Sequence, residues 1–151
     1  HTGYESLGIE HRRSVTAHQG DRWVVEDQAL PIPGKKSNHG FQTARLHWLL
    51  PDWEWTLEQG DQSNHEIRVR SPYGWVRLGM QAVLPVAESL ENPNLQIVRS
   101  GKLLHGSGAI SPISGWVSAT YGNKNPALSV SYSIQGPLPF KLVSTWEFPE
   151  L

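Results

Sequence analysis

Apolar residues in this chain recur at every second position, and that feature narrows the fold more than any other. Ala44, Leu46, Trp48 and Leu50 alternate with Arg45, His47 and Leu49. Trp53, Trp55 and Leu57 alternate with Glu54 and Thr56, and Ile67 and Val69 with Arg68 and Arg70. Leu128, Val130, Tyr132 and Ile134 alternate with Ser129, Ser131 and Ser133, and Leu142, Ser144, Trp146 and Phe148 repeat the pattern. A period of two sends successive side chains to opposite faces of an extended strand. Each segment therefore reads as a strand with one buried and one wet face.

Turn chemistry separates these segments. Gln19-Gly20-Asp21, Gln59-Gly60-Asp61, Ser71-Pro72-Tyr73-Gly74, Gly122 to Pro126 and Gln135-Gly136-Pro137 are turn sequences, and Pro31 to Gly40 is a polar loop. Eleven Pro and fourteen Gly in 151 residues leave little room for long helices. A short helix signal covers Val83 to Leu90, with Pro85 inside it. The spacing predicts an all-β fold, an antiparallel β-sandwich of about ten or eleven short strands, in a single domain over residues 1–151. The pattern argues against a parallel α/β fold, which needs helices between its strands.

A chain of this length buries roughly 68–70% of its unfolded surface, enough for a core without staples. Hydrophobic residues are 38% and charged residues 18%, both low. Seven Trp and four Tyr offset part of that, since each aromatic buries a large area. Net charge is −1, which argues against a nucleic-acid partner. No apolar run reaches the length of a membrane span, and no signal peptide is recognisable. With no cysteine, disulfides, CxxC redox chemistry and Cys-type zinc sites are excluded. That leaves the compartment open, with a periplasmic or secreted parent as the expectation. The chain begins at His1 and its first residues read as mid-protein text, so a piece of a longer chain is expected.

Most short motifs fail on inspection. Gly34-Lys35-Lys36-Ser37 resembles the end of a phosphate loop, but Ala29 occupies the first glycine position. His65-Glu66 opens like a zinc-protease motif, but Val69 stands where the second His belongs, on a segment that alternates like a strand. His1, His11, His18, His39, His47, His65 and His105 share no ligand spacing, so ordinary histidines are expected and no metal site. No GxSxG elbow is present, and Gly106-Ser107-Gly108 reads as a loop.

Two side-chain classes carry the remaining functional signal. Arg12 and Arg13 adjoin His11, and Arg68 and Arg70 share one strand face. An arginine fork matches carboxylate or sulfate, so these four are the candidate substrate-binding residues. The plainer reading is solvated charge balanced by Asp and Glu. Arg77, Arg99 and Lys102 fall on later strands. Trp48, Trp53, Trp55 and Trp146 are in register with aliphatic neighbours and are expected in the core, while Trp23, Trp75 and Trp116 stay open.

Three stretches, taken in order, resemble a known family. They are His1-Thr2-Gly3-Tyr4 followed by His11-Arg12-Arg13, then Trp23-Val24-Val25-Glu26-Asp27, then Arg45-Leu46-His47-Trp48-Leu49-Leu50-Pro51. The order is similar to the C-terminal β-domain of heparinase II/III-like polysaccharide lyases. Gly115 to Gly122, Pro126, Pro139 and Thr145 extend the resemblance over nearly the whole chain.

The resemblance implies a parent that joins an N-terminal α/α toroid to antiparallel β-sheets and cleaves acidic, uronate-containing polysaccharides by β-elimination. In such a reaction a base removes the proton beside the uronate carboxylate, whose charge must be neutralised. The family's catalytic Tyr comes from the toroid, and its catalytic His and its metal-binding His and Asp come from the front part of the β region, which carries a His-Asn-Thr-like segment. Neither segment is present here, so the resemblance assigns no catalytic or metal residue to this chain. It implies no cofactor in this piece and a metal ion, if any, elsewhere in the parent. The implied partners are acidic polysaccharide and the toroid of the same parent, with neither nucleic acid nor membrane. His11, Arg12 and Arg13 then read as a structural signature, with an Arg pairing to Asp27 across neighbouring strands. The competing readings are a free-standing carbohydrate-binding module and a structural or interaction domain with an exposed edge that pairs with a second copy.

Overall fold

A computed structural model describes residues 3–35, 42–59, 64–84 and 93–150. The described residues form eleven strands: β1 (Ile9–His18), β2 (Arg22–Pro31), β3 (Gln42–Pro51), β4 (Trp55–Gln59), β5 (Asn64–Ser71), β6 (Gly74–Val83), β7 (Asn94–Arg99), β8 (Lys102–His105), β9 (Trp116–Val117), β10 (Asn125–Gly136) and β11 (Phe140–Glu147), and the alternating segments fall largely in β3, β4, β5, β10 and β11. A single 3-10 turn, Glu5–Leu7, precedes them, and no α-helix occurs among the described residues. The fold is all-β, two antiparallel sheets of the sandwich class, as the alternation predicts. Val83 ends β6, and the rest of the helix signal beyond residue 84 lies outside the described residues, as do Gly60, Asp61, His1, Lys36, Ser37 and His39.

The chain forms two compact units. One comprises residues 1–44, 55–93 and 134–151; the other comprises 45–54 and 94–133.

The first unit carries a six-stranded sheet in the order β1-β2-β11-β6-β5-β4. Tight turns set its hairpins. Gly20 and Asp21 both take positive φ, 74° and 51°, between β1 and β2. Gly and Asp reach that region at low cost, which lets the two long strands pair from Ile9↔Pro31 to His18↔Arg22. Ser71 closes the β5–β6 turn by donating from Oγ to Gly74 O at 2.7 Å. β11 sits between β2 and β6, paired through Leu142↔Asp27 and Leu142↔Ala82. These registers fix the two faces. One face carries Ile67, Val69, Val76, Leu78, Met80 and Leu142, all buried. The other carries Glu66, Arg68, Arg77, Glu147, Glu26 and Lys141.

The second sheet runs β3-β10-β7-β8, with β9 paired to β10. β7 and β8 join through Ser100 and Gly101, whose φ values of 51° and 73° give the two-residue turn that suits strand twist. Leu128, Val130 and Tyr132 pair with Arg99, Ile97 and Leu95 on one face, where all but Arg99 are buried. Ser129 and Ser131 pair with Val98 and Gln96 on the opposite face.

The tryptophans depart from expectation. Trp48, Trp53, Trp55 and Trp146 are half-buried, not core. The fully buried side chains are aliphatic or Tyr132: Ile67, Leu78, Met80, Ile97, Leu128 and Val130. Position in the sheet and the size of the indole both contribute, since the smaller Leu46 and Leu50 on the strand of Trp48 are buried. Trp48 lies on β3 and Trp55 on β4, both edge strands, and Trp53 lies in the connection between them. Trp146 lies at the end of β11, stacked on Phe148 with 6.0 Å between ring centroids. In-register apolar spacing reports the face of a strand but not its rank in the sheet. Trp23 and Trp75 are 44% and 42% exposed, and Trp116 is half-buried, donating its indole N–H to Pro112 O.

Candidate functional site

The four candidate arginines do not form one cluster. Arg12 and Arg13 lie on β1, an edge strand, and Arg68 and Arg70 on β5, with β2, β11 and β6 between them. At the usual strand spacing that is about 19 Å. Arg12, Arg68 and Arg70 share the charged face of the sheet, whereas Arg13, one residue on, projects from the other face. Each of the four is engaged. Arg12 Nε donates to Glu10 at 2.8 Å, Arg68 bridges Glu66 and Glu58 at 2.8 and 2.9 Å, and Arg70 lies 6.0 Å above the Trp75 ring.

On the charged face, cross-strand register builds a ladder of alternating sign. Glu58, Arg68, Glu66, Arg77 and Glu147 are linked in sequence across β4, β5, β6 and β11. Arg22 on β2 approaches Glu147 at 4.0 Å. Glu66 is the hub. Arg77 engages both its oxygens, at 3.0 and 3.1 Å, and Arg68 adds a third bond. The hydrogen bonds from Arg77, and then the one from Arg68, hold the Glu66 carboxyl below the ordinary carboxylate range.

On the other face, the family-like stretches converge. Arg13 stands directly opposite Asp27 and engages both its oxygens, at 2.7 and 3.0 Å. His11, two residues back on the same face, places Nε2 2.8 Å from Asp27 Oδ1. Tyr4 meets the His11 ring edge to face, 6.3 Å between centroids. Asp27 is itself buried. The hydrogen bond with Asp27 raises the Arg13 guanidinium pKa further. A metal ion does not fit here, because a fixed cation already occupies both carboxylate oxygens. Among the described residues no group of three His, Asp or Glu side chains is placed to hold one.

In the second unit a polar pocket of about 140 Å³ opens over β3, β10 and β7. Arg45 and His47 line it from β3, Ser129 and Ser131 from β10, and Gln96 from β7. The segment 109–114 forms its other wall. His47 Nε2 lies 2.8 Å from Ser129 Oγ. Partial desolvation of the ring, and secondarily the neighbouring Arg45 charge, push the His47 pKa down. Glycines hold the loop from 106 to 115 close to β7. A Cβ on Gly106 would overlap Leu95 O, and one on Gly115 would lie 2.6 Å from Val98 O. Gln96 Nε2 donates to Ser107 O at 2.5 Å and pins the loop from below.

The cluster at Asp27 unites residues from two of the three stretches that resemble a family, and the family comparison decides the matter. The heparinase II/III-like, C-terminal family matches residues 1–142. The chain belongs to that family. No match to a curated protein or to a solved structure was found. In this heparinase II/III-like C-terminal domain His11, Arg13 and Asp27 form one connected group on the same sheet face, with Tyr4, just before the 3-10 turn, against the His11 ring. Sequence reasoning missed the hub role of Glu66 and the His47 pocket of the domain. Each strand displayed the alternation that places Arg45 with His47 and Ser129 with Ser131. The missing fact was that β3 and β10 are neighbours, though His47 and Ser129 are 82 residues apart.

Proposed function

We propose that this chain is the C-terminal β portion of a polysaccharide lyase that cleaves acidic, uronate-containing chains by β-elimination, and that it carries no catalytic group of its own. In the parent it would support the catalytic β face and lend cations to an acidic-glycan groove, beside an N-terminal helical toroid. The observation that carries this reading is the family match over residues 1–142. The glycan-facing role falls to Arg12, Arg68 and Arg70, which share one exposed sheet face, while Arg13 is committed to Asp27 on the other. Any catalytic metal or base belongs to the rest of the parent.

The test is binding of the purified chain to uronate-containing and neutral polysaccharides at low and high salt, with ultraviolet detection of unsaturated uronate. The expected result is salt-sensitive binding to acidic chains without product, weakened by Arg68→Gln. Product formation by this chain alone would overturn the non-catalytic assignment. Exposed Trp75, with Arg70 above it, favours one second reading, a carbohydrate-binding module that stacks sugar rings. It predicts salt-insensitive binding to a neutral glycan, abolished by Trp75→Ala.

A further inference from the structure

The arginines of this chain divide by partner. Arg12, Arg13, Arg22, Arg68, Arg77 and Arg99 each face a carboxylate. Arg70 lies over Trp75. Arg45 faces no carboxylate among the described residues, and none lines the pocket it borders. What lines that pocket instead is a guanidinium, an imidazole and the hydroxyls of Ser129 and Ser131, with the Gln96 amide beside them. Ser129 and Ser131 are each only 6% exposed, so two hydroxyls lie at the base of a cavity. The lining offers donors and the positive charge of Arg45, and no negative charge. About 140 Å³ is far above the roughly 10–15 Å³ that admits one water. It can take a small charged group with its remaining hydration.

We propose that the Arg45–His47–Ser129–Ser131 pocket binds a small oxyanion, the carboxylate or sulfate group of a ligand. A guanidinium fork and converging hydroxyls match that geometry, and hydroxyls fixed two residues apart on one strand need little reorganisation. The inference stands on the pocket alone and does not need the polysaccharide reading, which places glycan on the other sheet's charged face.

The test titrates the 151-residue chain with sodium sulfate, sodium glucuronate and glucose at constant ionic strength, following backbone amide and imidazole resonances by NMR. Expected are saturable shifts of Ser129, Ser131, Gly115 and the His47 ring with sulfate or glucuronate, and none with glucose. The tighter of the two anions identifies the group. Arg45→Gln should weaken binding about tenfold, the usual weight of one charge-assisted contact. Lys35→Gln, at an exposed lysine paired with Glu5, should leave it unchanged. Arg45 is exposed, so its variant is expected to fold, and Ser131→Ala gives an independent second probe of the pocket. Unsaturable shifts, shifts centred on other arginines, unchanged affinity in both pocket variants, or equal response to glucose would each overturn the proposal. Polysaccharide binding can fail while sulfate still binds here, so the two readings fail separately.

Discussion

Asp27 gives both carboxylate oxygens to Arg13, the residue directly across from it in the β1–β2 register, while His11 reaches one of the same oxygens from two positions away. The geometry follows from a strand's period of two. His11 and Arg13 share a face, Arg12 cannot join them, and Arg12 pairs with Glu10 on the other side instead.

Removing the charge of Asp27 should therefore matter more than its location near an edge suggests. Asp27→Asn keeps the volume but strips the buried partner from two cationic or donor groups. Arg13 is half-exposed and can rehydrate, which holds the loss to about 1–2 kcal/mol. Urea unfolding reads this as a lower midpoint at unchanged slope. Glu10→Gln, in the exposed pair with Arg12, should leave the midpoint where it is. Equal behaviour of the two variants would remove Asp27 from the account.

Two glycines with the same backbone conformation should respond differently to alanine. Gly115 and Gly122 have φ of 75° and 79°. A Cβ at Gly122 meets nothing within 4 Å, whereas one at Gly115 lies 2.6–2.8 Å from Val98, Ser100 and Arg99 backbone atoms. Gly122→Ala then costs only the left-handed strain, about 1 kcal/mol. Gly115→Ala adds displacement of the loop over β7 and should cost at least about 2 kcal/mol more than that. Thermal unfolding of the pair checks the order.

Acid should weaken the fold partly through His47. Its folded pKa lies below the ordinary 6.5, because the ring is partly desolvated and sits near Arg45. The unfolded chain then binds the proton more readily than the folded one, so stability rises with pH across this window. The contribution is fully present above the ordinary value and is lost as pH falls towards and through the folded pKa. His47→Gln should flatten this part of the stability–pH curve. An unaltered slope just below 6.5 would contradict the assignment.

Glu66 keeps two like charges together. Arg68 and Arg77 stand directly opposite each other on β5 and β6, an unfavourable pair without the carboxylate between them. Glu66→Gln should cost about 1 kcal/mol in dilute buffer, and the loss should shrink in 1 M salt, where screening reaches about 3 Å. A loss independent of salt would mean packing, not charge, is what Glu66 contributes. Glu66 should stay ionised below the ordinary 4.5, since its folded pKa is lowered. Its stabilisation is present above that ordinary value and disappears as pH falls through the folded one.

Much of the Asp27 cluster was legible beforehand. The pairing of a β1 arginine with Asp27 was expected from the family resemblance, with Gly20-Asp21 read as the turn between two early strands. The alternation alone could not say which arginine, because it fixes faces within a strand but not the register between strands. The tryptophans show the complementary failure. Trp48 and Trp55 alternate as core residues do, yet lie on edge strands, where one flank has no neighbour to cover them.

Period-two alternation and turn residues act over a few bonds, so the sequence by itself determined the strands, their two faces and the hairpins β1–β2 and β5–β6. Contacts between distant segments depend on which strand edges meet once the chain has closed, and no local preference encodes that. Tertiary structure alone placed β11 between β2 and β6, and thereby joined Glu147 to Arg77 in the charge ladder. It alone set β3 beside β10, which brings Arg45 and His47 over Ser129 and Ser131 and creates a cationic pocket from two strands that separately look like ordinary sheet.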